Sequence, residues 1–287
     1  MEVGQLKEIR RYPVKSLGGE LLDEIELAER GLPGDRVWAV RDEVRGGIRG
    51  AKKIPALMEL QARYVSPPSA EGSSPAEITL PDGTTVGTGD ADVNDRITKA
   101  IDYSVTLWPL LPADALDHYR RGAPDQKDFE KEMRSIFGRA EDEPLPDLAV
   151  FPPELIEFES PPGTYFDAFP LLLITETAFR TMQEKAPDSI FDVRRFRPNF
   201  VISDSGSSAP FPEKEWCGRR LQIGDAIIEV TVECPRCVMT THGFEDLPKD
   251  PSIMRTLVRE SGGILGAYAK VVTPGRVRTG DSIQLLE

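Results

Sequence analysis

Cysteine is scarce in this chain, with three in 287 residues. An odd, small number cannot make a disulfide framework, so any cysteine chemistry is expected to be thiol chemistry in a reducing compartment. Long apolar runs are missing as well. No window approaches the ~20 apolar residues that a membrane span requires, and MEVGQLKEIRRYPVKS has no apolar stretch behind its charges. These absences predict a cytoplasmic protein with no membrane partner. Basic charge is the third deficit: 35 Lys and Arg stand against 48 Asp and Glu, a net charge of −13. Such a surface repels a phosphate backbone, so nucleic acid is not an expected partner.

What remains is a globular composition, 39% hydrophobic and 29% charged. The 25 Pro and 24 Gly are spread out, and the runs between them suit short strands. LKEIRRYPVKS, LLDEIELAERG, RVWAVRDE and MELQARYV read as strands, and Pro81 to Gly83 as the turn between two more. Asp92 precedes a helix that carries Val93, Ile97 and Ile101 on one face. From about 109 to 162 the chain turns rich in Pro, Asp and Glu, the composition of a linker or surface insertion, with one short amphipathic helix through Phe129, Met133, Ile136 and Phe137 that Gly138 ends. Beyond it, TETAFRTMQEKA is a helix capped by Thr175, and another opens after Asp250. FRPNFVISD, RRLQIGDAIIEVTVE, AYAKVV and DSIQLL are strands, with Gly-Asp turns at 224 and 280. The expected fold class is mostly β with a few helices, α+β in type. The expected division is 1–108, a connecting region 109–162, and 163–287.

Cys234-Pro235-Arg236-Cys237 is the one chemically loaded cluster. Arg236 beside two thiols would favour a thiolate, the form that binds soft metals. A zinc site could draw on Cys217, Cys234, Cys237 and His242, although the spacing is not that of a standard finger. A thioredoxin-like pair would need a helix after the second cysteine, and VMTTHG has no helical period. Two buried cysteines at a strand end, or one thiolate ligand to a cofactor metal, are the other readings. Lys15-Ser16, Gly34-Asp35-Arg36 and Arg194 to Asn199 fall at strand edges and turns, where side chains converge on ligands. Arg forks with Ser and Asn suit a phosphate or a polar heterocycle.

In this order, Tyr12-Pro13-Val14-Lys15-Ser16, Gly34-Asp35-Arg36-Val37-Trp38, Arg197-Pro198-Asn199, Trp216 through Gly224 to Cys237, Thr240-Thr241 and Pro274-Gly275 to Gly280-Asp281 resemble the MOSC family, the C-terminal domain type of molybdenum-cofactor sulfurase, with its N-terminal β-barrel partner. The closest type is the amidoxime-reducing component and its bacterial relatives. The resemblance implies an N-terminal β-barrel-like domain followed by a MOSC β-barrel, and a molybdenum on a pterin dithiolene. It implies Cys237 as metal ligand and catalytic centre, and Lys15, Ser16, Arg36, Lys52, Arg197, Asn199 and Arg236 as cofactor-binding residues. The implied activity is oxygen removal from N-hydroxylated or N-oxide small molecules, with electrons from a separate iron–sulfur or flavin protein. The alternative is a non-redox carrier of the cofactor, or of sulfur as a Cys237 persulfide. No pyridoxal-phosphate domain and no iron–sulfur cluster are expected in this chain. One departure stands out: the family's Thr-Thr-Val-Asp-Pro reads Thr240-Thr241-His242-Gly243-Phe244 here, leaving His242 or Glu245 as stand-ins for its carboxylate.

Overall fold

The computed structural model describes residues 1–205 and 208–286. The first half holds β1 (Glu2–Arg11), β2 (Glu20–Leu22), β3 (Glu24–Leu27), β4 (Trp38–Asp42), β5 (Ile48–Arg49), β6 (Gln61–Arg63), β7 (Glu77–Thr79), β8 (Thr85–Gly87), α1 (Val93–Ile101) and β9 (Val105–Pro109). A middle segment carries α2 (Leu116–Tyr119), α3 (Phe129–Phe137) and α4 (Glu154–Glu157). Then follow β10 (Leu171–Thr175), α5 (Glu176–Lys185), α6 (Val193–Phe196), β11 (Phe200–Asp204), β12 (Arg220–Ile223) and β13 (Ala226–Pro235). The last elements are α7 (Ser252–Ser261), β14 (Ile264–Thr273), β15 (Gly275–Arg278) and β16 (Ser282–Leu285). The mostly β, α+β expectation holds.

Seven strands close a barrel in the order β11-β10-β14-β13-β12-β16-β1, with β1 pairing back onto β11. Period-2 alternation builds it: Ala226, Ile228 and Val230 of β13 point inward, and so do Leu171 and Leu173 of β10. The N-terminal strand is structural here. Gly4 to Ile9 pair with Asp204 to Phe200 on one edge, and Glu2 to Gln5 with Gln284 to Ser282 on the other. Residues 1–108, expected as one unit, thus give their first strand to the other barrel, and β3 also leaves to pair with β15. Without β1 the barrel would expose two open edges.

The rest of the first half is two three-stranded sheets, β5-β4-β9 and β6-β7-β8, folded with α1 around Val40, Leu57, Leu60, Ile78, Val86 and Ile97. Phe244 and Leu247 of the second half insert into that same core. α1 starts after Asp92, whose side chain makes no capping bond, and stops at Asp102 in the left-handed region. α3 is as expected: Asp128 accepts from Lys131 N at 2.9 Å, and Gly138 ends it at φ 59°.

The middle segment is largely a surface stretch, tied to the body of the fold by ion pairs and a few buried residues. Its carboxylates pair across the chain, Asp125 with Arg45 at 2.9 Å and Lys53 at 2.8 Å, and Glu132 with Lys53 at 2.6 Å. His118, Tyr119, Phe158 and Ser160 are buried. No helix among the described residues is long and apolar enough to cross a membrane.

One barrel-end carboxyl has a consequence for stability. Glu213 is fully buried, accepting from Thr175 Oγ1 at 2.7 Å and Gly266 N at 3.2 Å, while Thr175 also caps α5. Burial pushes Glu213 up to about 7, against the pull of those donors. The folded chain therefore holds a proton that the unfolded chain has lost, and stability should fall as pH rises from about 4.5 to 7, then level off. Glu213→Gln should remove that slope and gain roughly 3 kcal/mol relative to the parent at pH 8. Urea midpoints of both proteins between pH 5 and 8 check this, and parallel curves would refute it.

Candidate functional site

The turn after β13 separates the two cysteines. Cys234 is on the buried side of the strand, 2% exposed, whereas Cys237 opens a short 3-10 turn, Val238–Thr241, and is partly exposed. Arg236 is pinned between them: Nη1 donates to Cys234 Sγ at 3.0 Å and Nη2 to Phe196 O at 2.5 Å, with the guanidinium over the Phe196 ring. The guanidinium thus hydrogen-bonds to Cys234, and reaches Cys237 only through its charge. Burial pushes the Cys237 thiol up, and Lys52 and Arg236 lower it by less. The four-ligand zinc reading also fails, since no three His, Cys, Asp or Glu converge among the described residues. All three cysteines are free.

The basic cradle forms where the halves meet. Tyr12 is buried with the guanidinium of Arg36 over its ring at 4.9 Å and that of Arg197 at 4.1 Å. Asp35, 1% exposed, ties the set together: Oδ1 accepts from Tyr12 N at 2.7 Å, and Oδ2 accepts from Arg36 Nη1 and from Asn199 Nδ2 at 3.1 Å. Ser16 (φ 73°), Arg36 (φ 50°) and Arg197 (φ 56°) are three of the five non-glycine residues in the left-handed region among the described residues. Such backbone costs about 1 kcal/mol or more per residue and persists where surroundings impose it, as at ligand clamps. Asn199 corrects an expectation. Its oxygen accepts from Leu172 N and Arg36, and its amide donates to Arg10 O and Asp35, so it positions the arginine and has no group left for a ligand.

Lys15 is also occupied. Its three N–H reach Tyr165 O at 2.8 Å, Asp167 Oδ1 at 2.9 Å and Ser160 Oγ at 3.2 Å. Ser16 Oγ accepts from Ala51 N at 2.9 Å and still has its own proton to give. Lys52 pairs with Glu159 at 2.7 Å. The sequence reading missed Glu159, Ser160, Tyr165 and Asp167, the residues that receive the two lysines; the only signal was a Glu159-Ser160 and Tyr165-Phe166-Asp167 run at the end of an acidic tract. Asp167 has a 60% exposed side chain. Burial of its surroundings would raise it, but Lys15, Lys52 and Arg36 outweigh that and hold it far below the usual carboxylate range. It also acts on Cys237, supplying a carboxylate near the thiol from a different segment than His242 or Glu245. Glu245 instead pairs with Arg194 at 2.7 Å.

Buried atoms without partners mark what is missing. Among the described residues, the buried side-chain nitrogen and oxygen atoms with no hydrogen bond are Arg197 Nη2, Arg236 Nε, His242 Nε2, and Nε and Nη2 of Arg139. All belong to Arg or His, in a chain of net charge −13. Unpaired buried donors are costly, so the arginine nitrogens among them are candidates to take an anion or a polar heterocycle. The sequence-predicted Lys15, Ser16, Arg36, Lys52, Arg197, Arg236 and Cys237 are thus brought to one region, with Asn199 beneath it.

A family model described as the MOSC domain matches residues 162–284, and one described as the MOSC N-terminal beta barrel domain matches residues 3–105. Mitochondrial amidoxime-reducing component 1 of Mus musculus is 24% identical, covering 99% of this chain and 83% of its own. A molybdenum cofactor sulfurase of Drosophila grimshawi is 23% identical over 90% of this chain, which is 31% of its own length. Among solved structures, the YUAD protein of Bacillus subtilis is 13% identical with a TM-score of 0.44, covering 98% of this chain and 94% of its own.

Proposed function

Because the chain belongs to the MOSC family, with the N-terminal β-barrel domain that accompanies it, we propose that it binds a molybdenum–pterin cofactor and reduces N-hydroxylated or N-oxide small molecules. The observation that carries this reading is the partly exposed Cys237 thiol beside the partnerless donors Arg197 Nη2 and Arg236 Nε. A soft thiolate next to anion-seeking guanidinium groups fits a soft metal carried on a phosphorylated ligand. When bound, the cofactor would supply the redox step.

The chain's own residues would do the rest. Cys237 would hold the metal, losing its proton on binding because a coordinated thiol is deprotonated. Arg36, Arg197, Arg236 and Ser16 would take the phosphate and pterin edges. Lys52 would add charge beside Cys237, and Lys15 would reach an anion only by giving up one of its three acceptors. Asn199 and Asp35 would hold Arg36 in place. The name of the mouse relative supports reduction. The raised Cys237 thiol makes a persulfide carrier the weaker alternative. We place the protein in the cytoplasm, with residues 109–162 acting as a connection between two domains that share the site.

Protein purified from a cofactor-competent host should contain about one molybdenum and one pterin per chain. It should reduce benzamidoxime with a chemical donor and show no turnover with NADH alone, since no GxGxxG follows a strand and no cysteine set remains for a cluster. Labile sulfur without molybdenum would favour the carrier, and NADH-driven turnover by the chain alone would refute the need for a separate electron-transfer partner.

A further inference from the structure

Three aromatic side chains meet beside the site yet belong to none of the four buried hydrophobic clusters. They are Phe151 of the middle segment, Phe169, two residues beyond Asp167, and Tyr268 of β14. Their ring centroids lie 5.5 Å (Phe169–Tyr268), 6.2 Å (Phe151–Tyr268, edge-on) and 6.4 Å (Phe151–Phe169) apart, and each is partly exposed. The base of the trio is tied to the chemistry. Tyr268 follows Ala267, which pairs with Glu233 across the β13–β14 ladder, so it stands beside the end of β13 that carries Cys234, within the field of Asp167 and Arg236. A partly exposed aromatic surface beside the strand end that carries Cys234, and not used to fill a core, is a candidate wall of that site.

We propose that Phe151, Phe169 and Tyr268 receive the organic part of the substrate and select a planar aryl group over an alkyl one. The placement rests on the reading of the Cys237 region as the reacting end. The selectivity rests on the rings themselves: at tilted angles and 5.5–6.4 Å spacing they are in the range where a further ring adds edge-to-face contacts to simple burial, which an alkyl group does not. Phe151 brings the middle segment into specificity.

The test uses benzohydroxamic and acetohydroxamic acids, which share an N-hydroxyamide head and differ in the ring. Calorimetry on the full chain, with and without cofactor, should show the aryl compound binding about tenfold tighter or more. Phe151→Leu and Phe169→Leu, which keep apolar bulk, should reduce that ratio to about threefold or less, and Phe151→Tyr should preserve it. In turnover the loss should fall on KM, with kcat changed less than twofold. Equal affinities in the parent, or a ratio that survives both leucine variants, would overturn the proposal. An aryl preference in binding without turnover of either compound would uphold it and instead overturn the reductase reading.

Discussion

Cys237→Ala is expected to empty the metal site and abolish turnover, because it removes the one protein thiol at the open side of the turn, while Cys234→Ala should keep both. The asymmetry follows from where the strand ends. Cys234 lies inside, where its sulfur accepts from Arg236 Nη1, and its loss leaves that donor short of a weak acceptor at a cost of about 1–2 kcal/mol. Cys237 has no such structural duty, so its variant should unfold at nearly the parent midpoint. Molybdenum content measured on folded protein, alongside activity, separates the cases. Equal loss of metal in both variants would restore a two-cysteine site, and full molybdenum in Cys237→Ala would remove the basis of the proposed function.

Asp35→Ala should be the most destabilising single change at the site, by about 3–5 kcal/mol. Its carboxylate is 1% exposed and accepts from Arg36, Asn199 and the Tyr12 amide, so truncation leaves a buried guanidinium and two further donors unanswered. Arg36 also loses the anchor that holds its left-handed backbone in place, and cofactor affinity should drop more than tenfold even in the molecules that remain folded. Asp35→Asn, which keeps the shape but not the charge, should fall between. Denaturant midpoints with and without cofactor measure both effects. A loss below 1 kcal/mol for Asp35→Ala would mean that Arg36 finds another partner.

Local chemistry was readable from the residues; long-range pairing was not. The Gly138 stop, the Thr175 cap and the hairpin turn at Gly224 follow from rules that act within a few residues, and all three are as expected. The choice of Cys237 over Cys234 came from the family resemblance; the residues by themselves left it open. Residues 109–162 were read as a linker because Asp125, Glu132 and Glu159 look like solvated charge. Their partners Arg45, Lys52 and Lys53 are some 80 to 107 positions away, where no periodicity reports them. Asp167 was hidden for the same reason. Asn199 was assigned to the ligand because Asn is a good ligand residue, and only its four internal contacts reveal a supporting role.

The strand at the start of the chain sets the order of events during synthesis. The end of β1, Ile9 to Arg11, pairs with the neighbouring β2, but its barrel partners are residues 200–204 and 282–284, made much later. At roughly 5–20 residues per second, it waits on the order of 10 seconds or more for the first of these barrel partners and cannot be flanked by both until β16 has been made. During that time an amphipathic strand with Leu6 and Ile9 on its apolar face is available to any other unpaired edge. Such distant pairing also predicts slow closure once the chain is free. A cofactor cradle that needs Tyr12, just past the end of β1, to stack with Arg197 can form only after that closure, so cofactor loading is a late, post-translational event in the life of this protein.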